Sequence, residues 1–175
     1  LAREHNYRTN RLVHALRNGR SHTVVLLLPS VRGEYFPQIA AAVEREAKRH
    51  GYHLLISQVA SDEDEIGEIE AFLELRVDGL ILAPRSGKPN QDYYRRLVSQ
   101  GIPLVFVDSY VPSVPCPAVA CDNRSGMRAA TEHLIQLGHR KIGYLGHEQK
   151  KVFHLNERFE GFRQAIEAHE LQVPD

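Results

Sequence analysis

The sequence predicts an α/β protein: a doubly wound, mostly parallel sheet held between helices in a three-layer α/β/α arrangement. Three observations carry this. Short apolar runs alternate with segments of helical period from Thr23 onward, the pattern of strand-helix-strand units. Most of those runs are continuous rather than alternating, as strands covered on both faces require. Gly51, Gly101 and Gly138 each follow a helical segment directly, where a left-handed residue ends a helix at little cost.

Taken in order, the first strand is expected over Thr23–Leu28. The first helix has Ile39, Val43 and Ala47 on one face, with Glu44, Arg45, Lys48 and Arg49 turned outward. A second strand over His53–Gln58 leads to a helix with Ile66, Ile69, Phe72 and Leu73 at helical spacing. That helix begins behind Ser61 with Asp62, Glu63, Asp64 and Glu65. Acids there complement the helix dipole, so the cluster is read as a helix start rather than a metal site. A third strand is expected over residues 79–83, with Tyr94, Leu97 and Val98 marking the next helix. Strands over Leu104–Val107 and residues 118–121 follow. Met127, Ala130, Leu134 and Leu137 then mark a fourth helix, and a sixth strand is expected over residues 141–145.

Charge is distributed unevenly, although the chain is formally neutral. Residues 1–22 hold Arg3, Arg8, Arg11, Arg17 and Arg20 against the single acid Glu4, so the rest of the chain carries a balancing acidic excess. Such asymmetry suits an interaction arm on an ordinary domain, or equally a solvated basic tail. The 175 residues suffice for one sizeable core. No apolar run approaches the ~20 residues of a membrane helix, and no secretory apolar region precedes the charged start, so a cytoplasmic location is expected. Cys116 and Cys121 have no companions at zinc-ligand spacing and are expected as free thiols. His133, His139, His147 and His154 fall on different elements without a metal-binding spacing, which favours surface or capping roles. The sequon Asn123-Arg124-Ser125 carries no weight without secretion.

Signatures of catalysis are missing from their usual places. The turn after the first strand reads Pro-Ser-Val-Arg-Gly-Glu-Tyr-Phe, with neither a phosphate-cradling glycine pattern nor a P-loop lysine. No serine occupies a nucleophile elbow. No enzymatic activity, metal or cofactor is therefore expected. In doubly wound folds the ligand lies beyond the carboxyl ends of the strands. There the chain offers Ser30, Tyr35 and Phe36 after the first strand, Pro84 and Arg85 after the third, and Asp108 and Ser109 after the fourth. Aromatic rings beside a carboxylate suit a sugar or heterocycle, the carboxylate accepting from hydroxyls and a ring stacking on the apolar face. Packing under the loop is an equally open role for Tyr35 and Phe36.

Several runs together resemble the LacI/GalR family of bacterial transcriptional regulators across essentially the whole chain. They are Asn6-Tyr7-x-x-Asn10-Arg11-x-x-x-x-Leu16-x-x-Gly19-x-Ser21, the pair Tyr35-Phe36, and Arg76-Val77-Asp78-Gly79-Leu80-Ile81. Asp122-Asn123-x-x-Gly126, Glu132-His133-Leu134-x-x-Leu137-Gly138-His139-Arg140-x-Ile142 and Arg158-x-x-Gly161-Phe162 complete the series.

The resemblance implies a periplasmic-binding-protein-like (type I) subdomain and a hinge. Residues 1–22 would be the end of a DNA-binding headpiece and its hinge helix, and residues 23–157 the N-terminal subdomain of an effector-binding core. Residues 158–175 would cross into a C-terminal subdomain. In the family, hinge helices pair in a homodimer and wedge a leucine into the minor groove of operator DNA; here the hinge residues would be Asn10, Arg11, Val13, Leu16 and Arg17. An apolar wedge at Leu16 offsets unstacking, and the arginines neutralise phosphates. Thr9 stands where the family often has proline, and Val13 where a small alanine is common. Tyr35, Phe36, Asp108 and Arg158, with Ser30 beside them, would contact a small effector of sugar type. Ser125 is read as the cap of the helix that follows, and Asp122 and Asn123 as structural. A helix-turn-helix is expected upstream of Leu1 and a second lobe downstream of Asp175. The implied function is an effector-responsive transcriptional regulator, most simply a repressor. A periplasmic-type sugar-binding protein without DNA binding is the alternative, since it shares the fold.

Overall fold

The computed structural model describes residues 19–85, 89–146 and 153–172. The expected hinge residues Asn10, Arg11, Val13, Leu16 and Arg17 lie outside the described residues, as does His147. Five strands, β1 (Thr23–Leu28), β2 (His53–Gln58), β3 (Gly79–Leu82), β4 (Leu104–Val107) and β5 (Ala118–Val119), form one sheet in the order β2-β1-β3-β4-β5. Every pairing is parallel, with Val24 opposite Leu54 on one side and Gly79 on the other. Helices α1 (Tyr35–Arg49), α2 (Asp62–Glu74) and α3 (Gln91–Ser99) are the crossovers. β3 and β5 each end earlier than the expected 79–83 and 118–121.

Alternate residues of the strands feed two cores, one on each face. Val25, Leu27, Leu80, Leu82, Leu104 and Phe106 pack with Ile69 of α2 and with Tyr94 and Leu97 of α3. Leu26 and Leu28 pack on the other face with Ala40 and the partly buried Phe36 and Val43 of α1. Each buried Leu or Ile contributes roughly 1.5–3 kcal/mol, so the sheet and its helices supply most of the fold's cohesion. The stripes expected for α2 and α3 face these cores; on α1 the core residues are Phe36, Ala40 and Val43, so of the expected Ile39, Val43 and Ala47 only Val43 is among them. α1 covers only part of its face, and Val119 remains 68% exposed.

Helices α4 (Asn123–Gln136) and α5 (Phe153–Ala168) pack on each other around a third, separate cluster of Ile135, Ile142, Phe162 and Ile166, joined by Met127, Tyr144 and Leu171. Two expectations fail here. The stripe Met127, Ala130, Leu134 and Leu137 is not the buried one: Leu134 and Leu137 are exposed, and α4 buries Thr131 and Ile135 instead. Met127, Thr131 and Ile135 recur every four residues along the face that α5 covers. The sixth strand over residues 141–145 does not form either. Among the described residues no strand runs beside it, so its backbone has no ladder to join; Ile142 and Tyr144 pack on the helices, and Leu145 is fully exposed.

Gly161 explains how closely the two helices meet. A Cβ there would collide with the Arg124 carbonyl oxygen of α4 and lie 3.0 Å from Arg128 N. Only glycine admits this approach.

Candidate ligand-binding site

The amino-terminal end of the sheet is held by one carboxylate. Asp78, at the entry to β3, accepts through Oδ1 from the Ser21 backbone N–H (2.7 Å) and hydroxyl (2.9 Å), and through Oδ2 from the His22 N–H (3.1 Å). Its own N–H donates to Thr23 O at 2.7 Å. The chain is thereby fixed where it enters β1. A cavity of about 780 Å³ also opens at this end, lined by residues that include Arg20, Tyr52, Arg76, Asp78, Pro103 and Val105. It borders the part of the sheet face that α1 leaves uncovered.

The carboxyl ends of the strands bring together most of the expected site. β4 is followed at once by Asp108, whose φ of +66° lies in the left-handed region. Ser109 N–H donates to Val107 O at 2.7 Å, closing a three-residue turn around Asp108, while Asp108 N–H is held by Val119 O. Such a turn is strained for a residue with a side chain, and strain of this kind gathers at ligand clamps. The Tyr35 hydroxyl, at the first turn of α1, donates to Asp108 Oδ1 at 2.5 Å. That bond, followed by burial, pushes the Tyr35 phenol well above its ordinary range, so it remains a donor. Phe36 stands edge-on to Tyr35, ring centroids 5.2 Å apart, but packs into the α1 core. Of the pair, Tyr35 alone is exposed, so Phe36 takes the packing role.

Arg158 reaches the same place from α5. Its field acts on Tyr35, and its Nε donates to Asn123 Oδ1 at 2.7 Å. Asn123 is buried, and its Nδ2 donates to Cys121 O. One neutral amide therefore aims the guanidinium while leaving its charge uncompensated by that contact. Asp122, not Ser125, caps α4: Asp122 Oδ1 accepts from Ser125 N–H at 2.9 Å, which also lowers the Asp122 pKa. Aspartate outcompetes serine because its carboxylate precedes the first free N–H groups. Ser30 turns inward on its own loop, Oγ accepting from Arg32 N–H at 3.0 Å. Arg85 lies with Nη1 3.4 Å from Val59 O, and Ser109 is buried.

Two side chains escaped the sequence reading. Glu65, within a run of acids, is 1% exposed; it accepts from Tyr94 Oη and from Asn90 Nδ2 (3.2 Å), and Asn90 Nδ2 also donates to Asp62 O. Burial raises its pKa against those bonds. This knot ties the start of α3 to the start of α2. His154 was expected at the surface or as a cap. It is half-buried instead, and its Nδ1 is buried with no hydrogen-bond partner among the described residues. Its position four residues before Arg158 on one helix face was the signal available.

A parallel doubly wound lobe with a carboxylate, a phenol and a guanidinium converging beyond its strands defines a small-molecule-binding module. The chain belongs to the family described as periplasmic binding proteins and sugar binding domain of LacI family, whose model matches residues 21–175. A ribose operon repressor from Halalkalibacterium halodurans is 32% identical over 170 residues, covering 97% of this chain and 49% of that protein. A solved structure from Burkholderia thailandensis assigned as a ribose operon repressor superposes with a TM-score of 0.80 at 35% identity, covering 89% of this chain and 59% of that one. The Cra transcriptional dual regulator from Pseudomonas putida in complex with fructose 1-phosphate gives 0.79 at 25% identity, covering 87% and 56%. The chain thus spans about half the length of the curated relative it matches. Among the described residues no helix is long and apolar enough to cross a membrane.

Proposed function

We propose that this chain is the effector-sensing lobe of a DNA-binding transcriptional regulator, a repressor released or engaged by a small carbohydrate. The observation that carries the reading is the convergence of Tyr35, Asp108 and Arg158 at the ligand end of a lobe matched by the family's sugar-binding model. Asp108 accepts from sugar hydroxyls, the exposed Tyr35 ring offers a stacking face, and Arg158 donates to ring or hydroxyl oxygens. No catalytic step is assigned to any of them. Ser30 and Phe36 support the site from behind.

The mechanism is linkage. An effector that prefers one arrangement of the core shifts the hinge, and operator affinity moves with it. In this reading Asn10, Arg11, Val13, Leu16 and Arg17 form the hinge, paired across a homodimer in the cytoplasm. The Ser21–Asp78 contacts support it by fixing the first described residues after the hinge to the sheet. The packing of α4 on α5 favours a crossover near residues 120–122 over one at 157/158, because the third apolar cluster contains both helices.

The test is footprinting of the intact protein on DNA flanking its own gene, with D-ribose, L-arabinose or D-fructose 1-phosphate added in turn. Protection that changes with one sugar supports the reading. Absence of protection under every condition contradicts it.

A further inference from the structure

We propose that Tyr94, seated on Glu65, is a positioning residue of the effector site: the buried pair locks α3 in place, and α3 carries the chain that holds Asp108 in its strained turn. The inference rests on the carbohydrate reading of that site and adds to it two residues that touch no ligand.

Strain such as that at Asp108 persists only where its surroundings over-determine it. On the outer side β5 contributes, Val119 O accepting from Asp108 N–H. The inner side is held by α3. Phe106, two positions before Asp108, is buried, and its ring meets that of Tyr94 edge-on with centroids 5.4 Å apart. Beyond Asp108, Val111 and Val114 are buried in the same core as Tyr94 and Leu97. Arg95 Nε donates to Ser113 O at 2.9 Å, and Ser113 Oγ donates to Gln91 Oε1 at 3.1 Å. The chain on both sides of the strained turn therefore leans on one helix. Tyr110, in the same segment, meets Phe153 edge-on at the start of α5, the helix of Arg158, with centroids 4.6 Å apart.

α3 is only nine residues long, and a helix this short takes its place from tertiary contacts rather than from its own stability. Asn90, just before it, makes no side-chain cap. Its amide donates instead to Asp62 O at 2.7 Å and to Glu65 Oε1 at 3.2 Å, and Tyr94 Oη donates to the same carboxyl oxygen. Glu65 and Tyr94 are both fully buried, so water does not replace their bond once it is lost. Burial, then the Glu65 carboxyl, holds the Tyr94 phenol well above its ordinary range, so it remains a donor.

The test compares the intact native protein with Tyr94→Phe, Glu65→Leu and Glu65→Gln. Calorimetric titration with D-ribose, L-arabinose and D-fructose 1-phosphate gives affinity, and amide hydrogen exchange over residues 108–116 reports the turn. Tyr94→Phe keeps the ring and deletes the donor, Glu65→Leu deletes the acceptor, and Glu65→Gln retains one. The first two are expected to bind sugar about fivefold more weakly, the weight of one hydrogen bond, and to exchange faster over residues 108–116. Glu65→Gln should restore both. Val43→Ala, which loses contacts in the opposite core, should lower stability and leave both readouts native. Tyr94→Phe decides by itself where Glu65→Leu does not fold. Native affinity and exchange in Tyr94→Phe, with stability alone lowered, overturn the positioning role and leave the carbohydrate reading standing. Equal losses in Glu65→Gln or Val43→Ala also overturn it, since the bond is then not their cause. If none of the three sugars binds the native protein, the carbohydrate reading fails; unchanged exchange in Tyr94→Phe then overturns the link from Tyr94 to Asp108, and faster exchange supports it.

Discussion

Asp78 and Asp108 sit at opposite ends of the same parallel sheet, and the structure treats them in opposite ways. Asp78 accepts three hydrogen bonds from Ser21 and His22, and its own backbone is unexceptional. Asp108 receives one side-chain donor among the described residues, the Tyr35 hydroxyl, and sits on a left-handed backbone. A saturated carboxylate on relaxed backbone holds structure together. An undersaturated one on strained backbone has capacity left for a ligand. The same contrast separates Arg158, steadied by a neutral amide, from Arg163, which bridges Glu160 and Glu167 on the outer surface of α5.

The largest effect is expected at the saturated end. Asp78→Ala removes the acceptor for the Ser21 N–H and hydroxyl and the His22 N–H and should cost about 2–3 kcal/mol in urea denaturation. Retention of full stability would show that solvent replaces the carboxylate and that the clamp holds nothing. At the ligand end, Arg158→Ala should weaken sugar binding by the intact protein roughly tenfold, the weight of a charge-assisted hydrogen bond. Its stability should fall by about 1 kcal/mol, because the buried Asn123 Oδ1 loses its donor. Unchanged calorimetric affinity removes Arg158 from the site.

Glu65 sharpens the contrast in a third way, since it is buried and bonded yet still disfavoured as an anion. Its pKa is raised on folding, so the protonated form is the one the fold prefers. Its contribution to stability is present below the ordinary carboxylate range and is lost as pH rises through the raised value. Glu65→Gln should therefore flatten the decline in stability as pH is raised above that range. An unaltered pH profile would mean that Glu65 ionises freely inside the fold.

How much of this was legible in the sequence depended on distance along the chain. The five strands and the stripes of α2 and α3 follow from local period, and Tyr35 and Asp108 from the rule that ligands lie beyond strand carboxyl ends. Glu65 was hidden because a run of acids behind a capping serine looks solvated. Its burial depends on Tyr94, 29 positions later. Ser21 and Asp78 are 57 positions apart, and nothing local announces their bond. The stripe of α4 misled because Leu134 and Leu137 match helical period, while the face that is covered was chosen by Gly161 and its close approach. Residues 141–145 have strand composition, but a strand also needs a neighbour.

Strain at Asp108, on the proposed reading, is retained for binding rather than for stability. Urea denaturation of Asp108→Gly tests it most directly. Glycine adopts the left-handed turn without strain, which offsets the lost Tyr35 hydrogen bond, so stability should stay within about 0.5 kcal/mol of the native protein or exceed it. Sugar binding should be lost at the same time. A loss of stability as large as that of Asp78→Ala would contradict the claim and make Asp108 a second structural clamp.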